Sequence, residues 1–186
     1  MTQPAPYTQF LEEILITESQ IQQRVAELGA TISEYYAQSQ NLLLVCILKG
    51  GVLFLTDLMR HITVPHAIDF MAVSSYGEGA RASTGQVRIL MDLAQSITDR
   101  DVLLVEDIID SGHTLNYILN QLHARNPRSL RICTLLSKPS RREVDISIDF
   151  LGFEIEDKFV FGYGLDLDER FRNMPFIGVV KPEALA

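Results

Sequence analysis

Residues 102–115, "VLLVEDIIDSGHTL", combine an apolar run with a cluster of acidic residues. The first four residues are all apolar, which is typical of a strand that is covered on both faces of its sheet. Three carboxylates follow, on Glu106, Asp107 and Asp110, and a serine–glycine turn then leads into a segment with helical spacing. This order indicates a strand–turn–helix unit with a polar site at the carboxyl end of the strand.

Similar apolar runs occur on both sides of this stretch. "NLLLVCILKGG" (41–51) precedes it, and "LRICTLLSK" (130–138) follows the helical segment "HTLNYILNQLHAR" (113–125). Because strands and helices alternate, we expect an α/β fold with a mostly parallel sheet flanked by helices. Lys49 and Lys138 each follow one of these runs. The carboxyl ends of parallel strands meet at one edge of a sheet, so we expect both lysines beside the carboxylates.

The rest of the chain supplies further elements. A helix is predicted from Thr17, where Ser19 and Gln22 have capping-box spacing. Two strands, "HAIDFMAVSSY" and "QVRILMDL", are separated by a polar, glycine-bearing segment, and we expect a flexible lid loop at about 74–87. Three more strands are predicted from "ISIDFLGFEI", "FVFGYGLDL" and "FIGVV".

Length and composition limit the class of protein. The 186 residues fit a single domain, 1–186, and no apolar run reaches the roughly 20 residues that span a bilayer. A net charge of −8 disfavours a broad nucleic-acid surface. No signal peptide is evident, and the two cysteines, Cys46 and Cys133, lie in apolar runs that predict buried thiols. We therefore expect a cytoplasmic protein that binds neither nucleic acid nor membrane.

The turn "DSGHT" has the features of a phosphate site. Successive N–H groups from Ser111 to Thr114 can point into one concavity at the positive end of a helix. The alternative is an ordinary strand-to-helix turn that Ser111 caps. The adjacent carboxylates of Glu106 and Asp107 repel each other unless sugar hydroxyls or Mg²⁺ lie against them. The alternative for this pair is an acidic strand end whose carboxylates are solvated.

The stretch strongly resembles the phosphoribosyl-pyrophosphate signature of the type I phosphoribosyltransferases. The resemblance is narrower for the bacterial hypoxanthine (hypoxanthine-guanine) branch, and it extends from about Leu42 to Val180. It rests on an ordered set of motifs: "LKGG", "SSY", "EDIIDSGHT", "LLSKPSRR", "GFEIEDKFVFGYGLD" and "FR". The resemblance implies that family's fold, with a small hood built from the chain termini. It also implies transfer of 5-phosphoribosyl from 5-phospho-α-D-ribose 1-diphosphate to N9 of hypoxanthine and guanine.

The resemblance also implies roles for residues that bind the phosphoribosyl donor. Lys49 and Gly50 of "LKGG" would contact pyrophosphate, often beside a cis peptide at Leu48–Lys49. Glu106 and Asp107 would face the ribose hydroxyls and the metal. The 5-phosphate would lie in the turn formed by Asp110, Ser111, Gly112, His113 and Thr114. His113 occupies a variable position in the motif, and we expect it to face solvent.

On the purine side, the resemblance makes Asp110 the catalytic residue, near N7 of the base. Lys138 would donate to the 6-oxo group, because an ammonium cannot accept from the amino group of adenine. Phe159 would stack on the base, and the backbone of Val160 would read its far edge.

Four further roles complete the implied site. Asp166 would bind a second Mg²⁺, which makes Mg²⁺ the expected cofactor and Glu106, Asp107 and Asp166 its ligands. Arg172 would reach pyrophosphate. Ser75 and Tyr76 of the lid would fold onto pyrophosphate. The expected partners are a 6-oxopurine, phosphoribosyl pyrophosphate and further copies of this chain in a homodimer or homotetramer.

Two alternatives come from other classes. A signalling receiver domain also places acidic residues and a Lys-Pro pair at strand ends, but it has no need of the "DSGHT" turn, the "LKGG" turn or a long lid. A regulator with the phosphoribosyltransferase fold and no main catalytic role is the second. The acidic composition and the presence of all three carboxylates in "EDIID" disfavour it.

Overall fold

In the computed structural model, residues 6–76 and 86–185 are described. The strands are β1 Leu11–Ile16, β2 Leu42–Leu48, β3 His66–Tyr76, β4 Gln86–Met91, β5 Asp101–Ile109, β6 Ser129–Ser137, β7 Phe150–Glu154, β8 Val160–Phe161 and β9 Ile177–Val180. The α-helices are α1 Glu18–Tyr35, α2 Val52–His61 and α3 His113–His123. Short 3₁₀ turns occupy Pro6–Gln9, Pro139–Arg141 and Pro182–Leu185.

Six strands form the main sheet, in the order β4-β3-β2-β5-β6-β7. All neighbouring pairs are parallel except β3 and β4. The prediction of a mostly parallel α/β sheet is therefore confirmed. β2 and β5 pair at its centre, where Cys46 lies opposite Val105.

The core lies on both faces of this sheet. On one face, α1 and α2 pack their apolar sides against β2, β5 and β6, and on the other face α3 packs against the alternate residues of β2 and β5. The side chains of β2 from Leu42 to Cys46 are almost completely buried, as a strand covered on both faces requires. Cys46 and Cys133 are buried free thiols, as predicted.

A second, smaller sheet forms the expected hood. It has three strands in the order β1-β9-β8, all antiparallel, so it joins the two ends of the chain. Phe161 and Val180 of this sheet form a small separate cluster with Leu167, whereas its other buried residues, such as Ile177 and Val179, belong to the main core.

Helix α1 starts where predicted, at Thr17, but its capping box is formed by a different pair of residues. Thr17, not Ser19, is the N-cap, and its hydroxyl accepts a hydrogen bond from Gln20 N–H at 3.4 Å. Gln20 Oε1 in return accepts from Thr17 N–H at 2.9 Å, which completes a capping box at Thr17 and Gln20. Ser19 already lies inside the first turn, so the pair Ser19 and Gln22 does not cap the helix.

The predicted lid at 74–87 is described only at its two ends. β3 continues to Tyr76, which pairs with Gln86 at the start of β4. The segment 77–85 lies outside the described residues. Of the helices within 6–76 and 86–185, none is long and apolar enough to cross a membrane.

Candidate active site

The loop after β2 crosses very close to a carboxylate of β5. A Cβ atom on Gly50 would lie 1.5 Å from Asp107 Oδ2, and one on Gly164 would lie 2.0 Å from the Gly50 carbonyl oxygen. The peptide bond between Leu48 and Lys49 is cis. These contacts place Lys49, Gly50 and Asp107 together at the carboxyl ends of β2 and β5, as the sequence predicts.

Glu106 and Asp107 form an electrostatically unfavourable pair. Glu106 is buried, and its burial together with the nearby charge of Asp107 holds the pKa of its carboxyl well above the usual range. Burial also raises the pKa of Asp107 to about 6, although its Oδ1 accepts a hydrogen bond from Ile108 N–H at 2.8 Å. Hydroxyl donors or a cation would stabilise the ionised forms of both carboxyls.

The predicted phosphate turn has the required backbone geometry. Gly112 has φ +92°, and a Cβ there would lie 2.9 Å from Ile146 Cδ1. The carbonyl of Ser111 accepts hydrogen bonds from Glu143 N–H and Val144 N–H at 3.0 and 3.2 Å, which support the turn from behind. Within 6–76 and 86–185, no hydrogen bond uses the N–H groups of residues 111–114. They therefore remain available to an anion at the N-terminus of α3.

His113 opens α3 and is partly exposed, with its Nε2 2.7 Å from Glu143 Oε2. The side chain therefore faces solvent in part, as expected, and also has an acidic neighbour that the sequence did not indicate.

Asp110, at the start of the phosphate turn, belongs to a group of four charged side chains that contact one another. Lys138 is 6% exposed, and its Nζ lies 3.5 Å from Asp157 Oδ1 and 3.9 Å from Asp110 Oδ2. Arg141 Nε donates to Asp110 Oδ1 at 3.1 Å, and its Nη1 lies 3.8 Å from Asp157 Oδ2. Two cations thus alternate with two carboxylates. The predicted pair Asp110 and Lys138 is brought together, within a network that includes Arg141 and Asp157.

A second charged group lies beside Lys49. Lys49 Nζ is 2.8 Å from Glu169 Oε2, and the same oxygen is 3.3 Å from Arg172 Nη2. Arg172 Nη2 also pairs with Asp166 Oδ1 at 2.8 Å, and Arg172 Nη1 donates to the Gly164 carbonyl at 2.8 Å. One network, formed through Glu169, therefore joins Lys49 and Arg172, for which the resemblance implies contact with pyrophosphate, to Asp166, for which it implies a second Mg²⁺.

The predicted base-stacking residue lies at the entry to the hood. Phe159 is 43% exposed, an unusual exposure for a large apolar side chain, whereas its neighbour Val160 is buried in β8. The Phe159 carbonyl accepts from Val180 N–H at 2.8 Å, which anchors this segment to β9. The contact between Asp157 and Lys138 brings the same segment next to the pair Lys138 and Asp110. Ser75 and Tyr76 end β3, and only their backbone is described.

The predicted metal ligands do not form a site by themselves. Across the described ranges, no three potential ligands come together to hold a metal ion. Asp166 Oδ1 is paired with Arg172 instead. The oxygen donors nevertheless suit Mg²⁺, which commonly keeps waters and substrate phosphates as ligands beside one or two carboxylates. The charge of Asp166 also acts on Asp107, so the two carboxylates are neighbours.

Sequence reasoning missed three charged residues of this region: Arg141, Asp157 and Glu169. Arg141 and Asp157 lie within the quoted motifs "LLSKPSRR" and "GFEIEDKFVFGYGLD", so the motifs contained them without revealing a contact. The only distinctive feature of Glu169 is its backbone conformation, with φ of +63°, and the sequence does not show it.

The comparisons with known proteins agree with this geometry. The family model for the phosphoribosyl transferase domain matches residues 13–170. A hypoxanthine-guanine phosphoribosyltransferase of Mycobacterium avium is 50% identical over 186 residues, which cover 97% of this chain and 91% of that protein. A hypoxanthine phosphoribosyltransferase of Salmonella typhimurium is 51% identical over 169 residues, covering 90% and 94% of the two chains.

Solved structures show the same similarity. A crystal structure of a hypoxanthine phosphoribosyltransferase from Staphylococcus aureus superposes with a TM-score of 0.93, at 45% identity and full coverage of both chains. A hypoxanthine phosphoribosyl transferase of Trypanosoma cruzi gives a TM-score of 0.90 at 40% identity, covering 98% of this chain and 97% of that one. The similarity thus includes the hood as well as the main sheet.

Proposed function

The chain belongs to the phosphoribosyl transferase family, and on that basis we propose that it is a purine-salvage hypoxanthine phosphoribosyltransferase. It transfers 5-phosphoribosyl from 5-phospho-α-D-ribose 1-diphosphate to N9 of hypoxanthine, and of guanine, giving IMP or GMP and pyrophosphate. The observation that carries the proposal is the placement of an acidic pair, an anion-binding turn and a buried lysine at one sheet edge. The half-identical relatives with this activity support the same reading.

The donor binds along the ends of β2 and β5. The free N–H groups from Ser111 to Thr114, at the positive end of α3, hold the 5-phosphate. Glu106 and Asp107 accept hydrogen bonds from the ribose 2- and 3-hydroxyls, which favours their ionised forms. Lys49 and Arg172 contact the diphosphate, and Gly50 lets the loop that carries Lys49 pass close to Asp107. Ser75 and Tyr76 would close over the diphosphate from the end of β3.

The base binds between Lys138 and Phe159. The Lys138 ammonium donates to the 6-oxo group, and Phe159 offers an exposed ring for stacking. The backbone of Val160 reads the far edge of the base. Asp110 lies within ion-pair distance of Lys138, so it can accept or share the proton at N7. An amino group in place of the 6-oxo group would put two donors face to face, and adenine is therefore excluded.

In the reaction, the N9 lone pair forms a bond to C1 of the ribose while the bond from C1 to the diphosphate oxygen breaks. The electron pair of that bond leaves with pyrophosphate, and the base gives up a proton towards Asp110. The sugar passes through an oxocarbenium-like state, which the negative charges of Glu106 and Asp107 favour. When bound, Mg²⁺ offsets charge on the diphosphate, and Glu106, Asp107 and Asp166 are the residues that would hold it.

The protein acts in the cytoplasm as a homodimer or homotetramer. Leu90 and Met91 of edge strand β4 are 62% and 42% exposed, and Ile68 of the adjacent strand β3 is 39% exposed. Exposed apolar side chains at a sheet edge favour association with a second copy of the chain. Sedimentation of the purified protein measures this state directly.

The function is tested by pyrophosphate release from the donor with Mg²⁺ and, in parallel, hypoxanthine, guanine, xanthine, adenine or uracil. Turnover with hypoxanthine and guanine, and none with adenine or uracil, is the expected result. Folded protein that binds the donor but turns over none of the bases would overturn the proposal and favour a regulator with this fold.

A further inference from the structure

One carboxylate oxygen in the site contacts two cations at once. Glu169 Oε2 lies 2.8 Å from Lys49 Nζ and 3.3 Å from Arg172 Nη2. Hydrogen bonds from Lys49 and then Arg172 hold the pKa of the Glu169 carboxyl below its usual range. Glu169 is therefore an anion that lies between the two side chains proposed to bind pyrophosphate.

The backbone presents Glu169 in a specific way. Leu167 N–H donates to the Arg170 carbonyl at 3.1 Å and Arg170 N–H donates to the Leu167 carbonyl at 3.0 Å. The two central residues, Asp168 and Glu169, have φ of +52° and +63°, as in a type I′ turn. A glutamate is uncommon at such a φ, where glycine, asparagine and aspartate are preferred. Glu169 N–H also donates to Asp166 Oδ2 at 2.9 Å, which fixes the turn.

The charges of this group cancel. Two cations, Lys49 and Arg172, face two carboxylates, Asp166 and Glu169. An incoming diphosphate needs the same donors, and the group offers it no excess positive charge while Glu169 remains in place. The Lys49–Glu169 pair is 68% and 66% exposed, so water competes for it and the pair exchanges readily.

We propose that Glu169 is a resident anion of the pyrophosphate subsite, and that the diphosphate of the donor must displace it to reach Lys49 and Arg172. The inference rests on the proposed function, which assigns those two cations to the diphosphate. On release of pyrophosphate, the carboxylate returns and competes with rebinding of the product. Glu169 thereby lowers the affinity of the site for pyrophosphate.

A purely structural role would have the opposite consequence. If Glu169 only held Lys49 and Arg172 in position, its removal would disorder both cations and weaken diphosphate binding. If it competes with the ligand, Glu169→Gln tightens binding by about twofold to fivefold, the upper part of the range expected for exposed ion pairs. The gain shrinks at high ionic strength, because all the partners are partly exposed.

The experiment measures binding of inorganic pyrophosphate with Mg²⁺ by titration calorimetry, in wild type and Glu169→Gln. Asp168→Asn is the matched control: it removes an equal charge from the adjacent residue of the same exposed turn, and we expect a change below about twofold. Glu169→Asp keeps the charge but withdraws it by one methylene group, and we expect a tightening between those of the other two variants. Thermal unfolding of each variant establishes that it is folded.

Tighter binding by Glu169→Gln, with Asp168→Asn unchanged, supports the inference. Equal or weaker binding by Glu169→Gln, while wild type binds pyrophosphate, overturns it and leaves the proposed function intact. Equal tightening by both variants also overturns it, because net charge alone would then explain the gain. Wild type that binds neither pyrophosphate nor the donor contradicts the proposed function itself.

Discussion

A Cβ atom on Gly50 would lie 1.5 Å from Asp107 Oδ2, so the loop that carries Lys49 can pass this carboxylate only with glycine at position 50. Gly50→Ala must move either the loop or the carboxylate. We expect it to lower the free energy of unfolding by about 1–3 kcal/mol, the usual cost of overpacking, and to weaken donor binding. Thermal unfolding and donor titration measure the two effects.

A double-mutant cycle tests the cause of this effect. In an Asp107→Ala background the clash is absent, so the stability cost of Gly50→Ala should largely disappear. If Gly50→Ala costs the same stability in both backgrounds, the close approach to Asp107 is not the reason that position 50 requires glycine.

The raised pKa of Asp107 predicts how stability depends on pH. Burial raises this pKa to about 6, above its value of roughly 3.9 in the unfolded chain. Between these two values the folded protein binds more protons than the unfolded one, so the stability of the ligand-free protein falls as pH rises. Asp107→Asn should remove the part of this fall that Asp107 causes and add about 1–2 kcal/mol at pH 8, whereas the raised pKa of Glu106 continues to lower stability as pH rises.

Thermal unfolding of wild type and Asp107→Asn between pH 4 and 8 measures this effect. Asp145→Asn, at an exposed position, is the control and should leave the curve unchanged. A wild-type protein that is no less stable at pH 8 than at pH 5, or a variant that gains nothing, would argue against a buried, destabilising Asp107.

Lys138 is expected to control the choice of base. Lys138→Gln keeps a donor but removes the charge and shortens the side chain, so kcat/KM for hypoxanthine should fall by about 10–100-fold. The KM for the donor should change little, because Lys138 contacts Asp110 and Asp157 in the part of the site that we propose for the base. Lys181→Gln, after the last strand of the hood, serves as the control. If Lys138→Gln loses affinity for the donor alone, Lys138 contacts the donor and not the base, and the prediction is wrong.

Asp101 is expected to stabilise the fold without a role in the reaction. It is 8% exposed at the start of β5 and accepts hydrogen bonds from Ser39 Oγ at 2.5 Å, from Ser129 Oγ at 2.7 Å, and from Arg128. The bonds from Arg128 come first among the causes that hold the pKa of Asp101 well below its usual range. Asp101→Asn should cost about 1–3 kcal/mol of stability near pH 7.

Denaturant unfolding and steady-state kinetics together test the Asp101 prediction. Because the pKa is lowered in the folded state, the contribution of Asp101 is lost as pH falls below about 4, and the two proteins should then converge in stability. An Asp101→Asn protein that unfolds like wild type at pH 7, or that loses turnover while remaining folded, would contradict the assignment.

The sequence predicts best those strands whose residues all share one environment, such as burial on both faces of the sheet. β2 and the first half of β5, Val102–Val105, are apolar throughout because helices cover both of their faces. β1 carries exposed Glu12 and Glu13 between its apolar residues and is only six residues long, so its pattern gives a weak signal. The predicted strand "FVFGYGLDL" contains only β8, Val160–Phe161, because the chain turns at Gly162, which has φ +98°.

The residues of the site also differ in how well the sequence predicts them. Motifs at strand ends place Lys49, Glu106, Asp107 and Lys138 together, because parallel strands end at one edge. The contact of Glu169 with Lys49 joins residues 120 positions apart, and that of Arg141 with Asp110 joins residues 31 apart. Each is made by partly exposed side chains, whose partners depend on the path of a turn and leave no periodic pattern in the sequence.

Identification of the reaction product is the decisive experiment on whether this sheet edge joins a 6-oxopurine to phosphoribose. Hypoxanthine, the donor and Mg²⁺ are incubated with wild type and with Asp110→Asn, and the nucleotide is resolved by chromatography and mass. We expect wild type to give IMP linked through N9, and the variant to form it about 10²-fold or more slowly. No nucleotide from folded wild type, or equal rates from both proteins, would contradict this expectation.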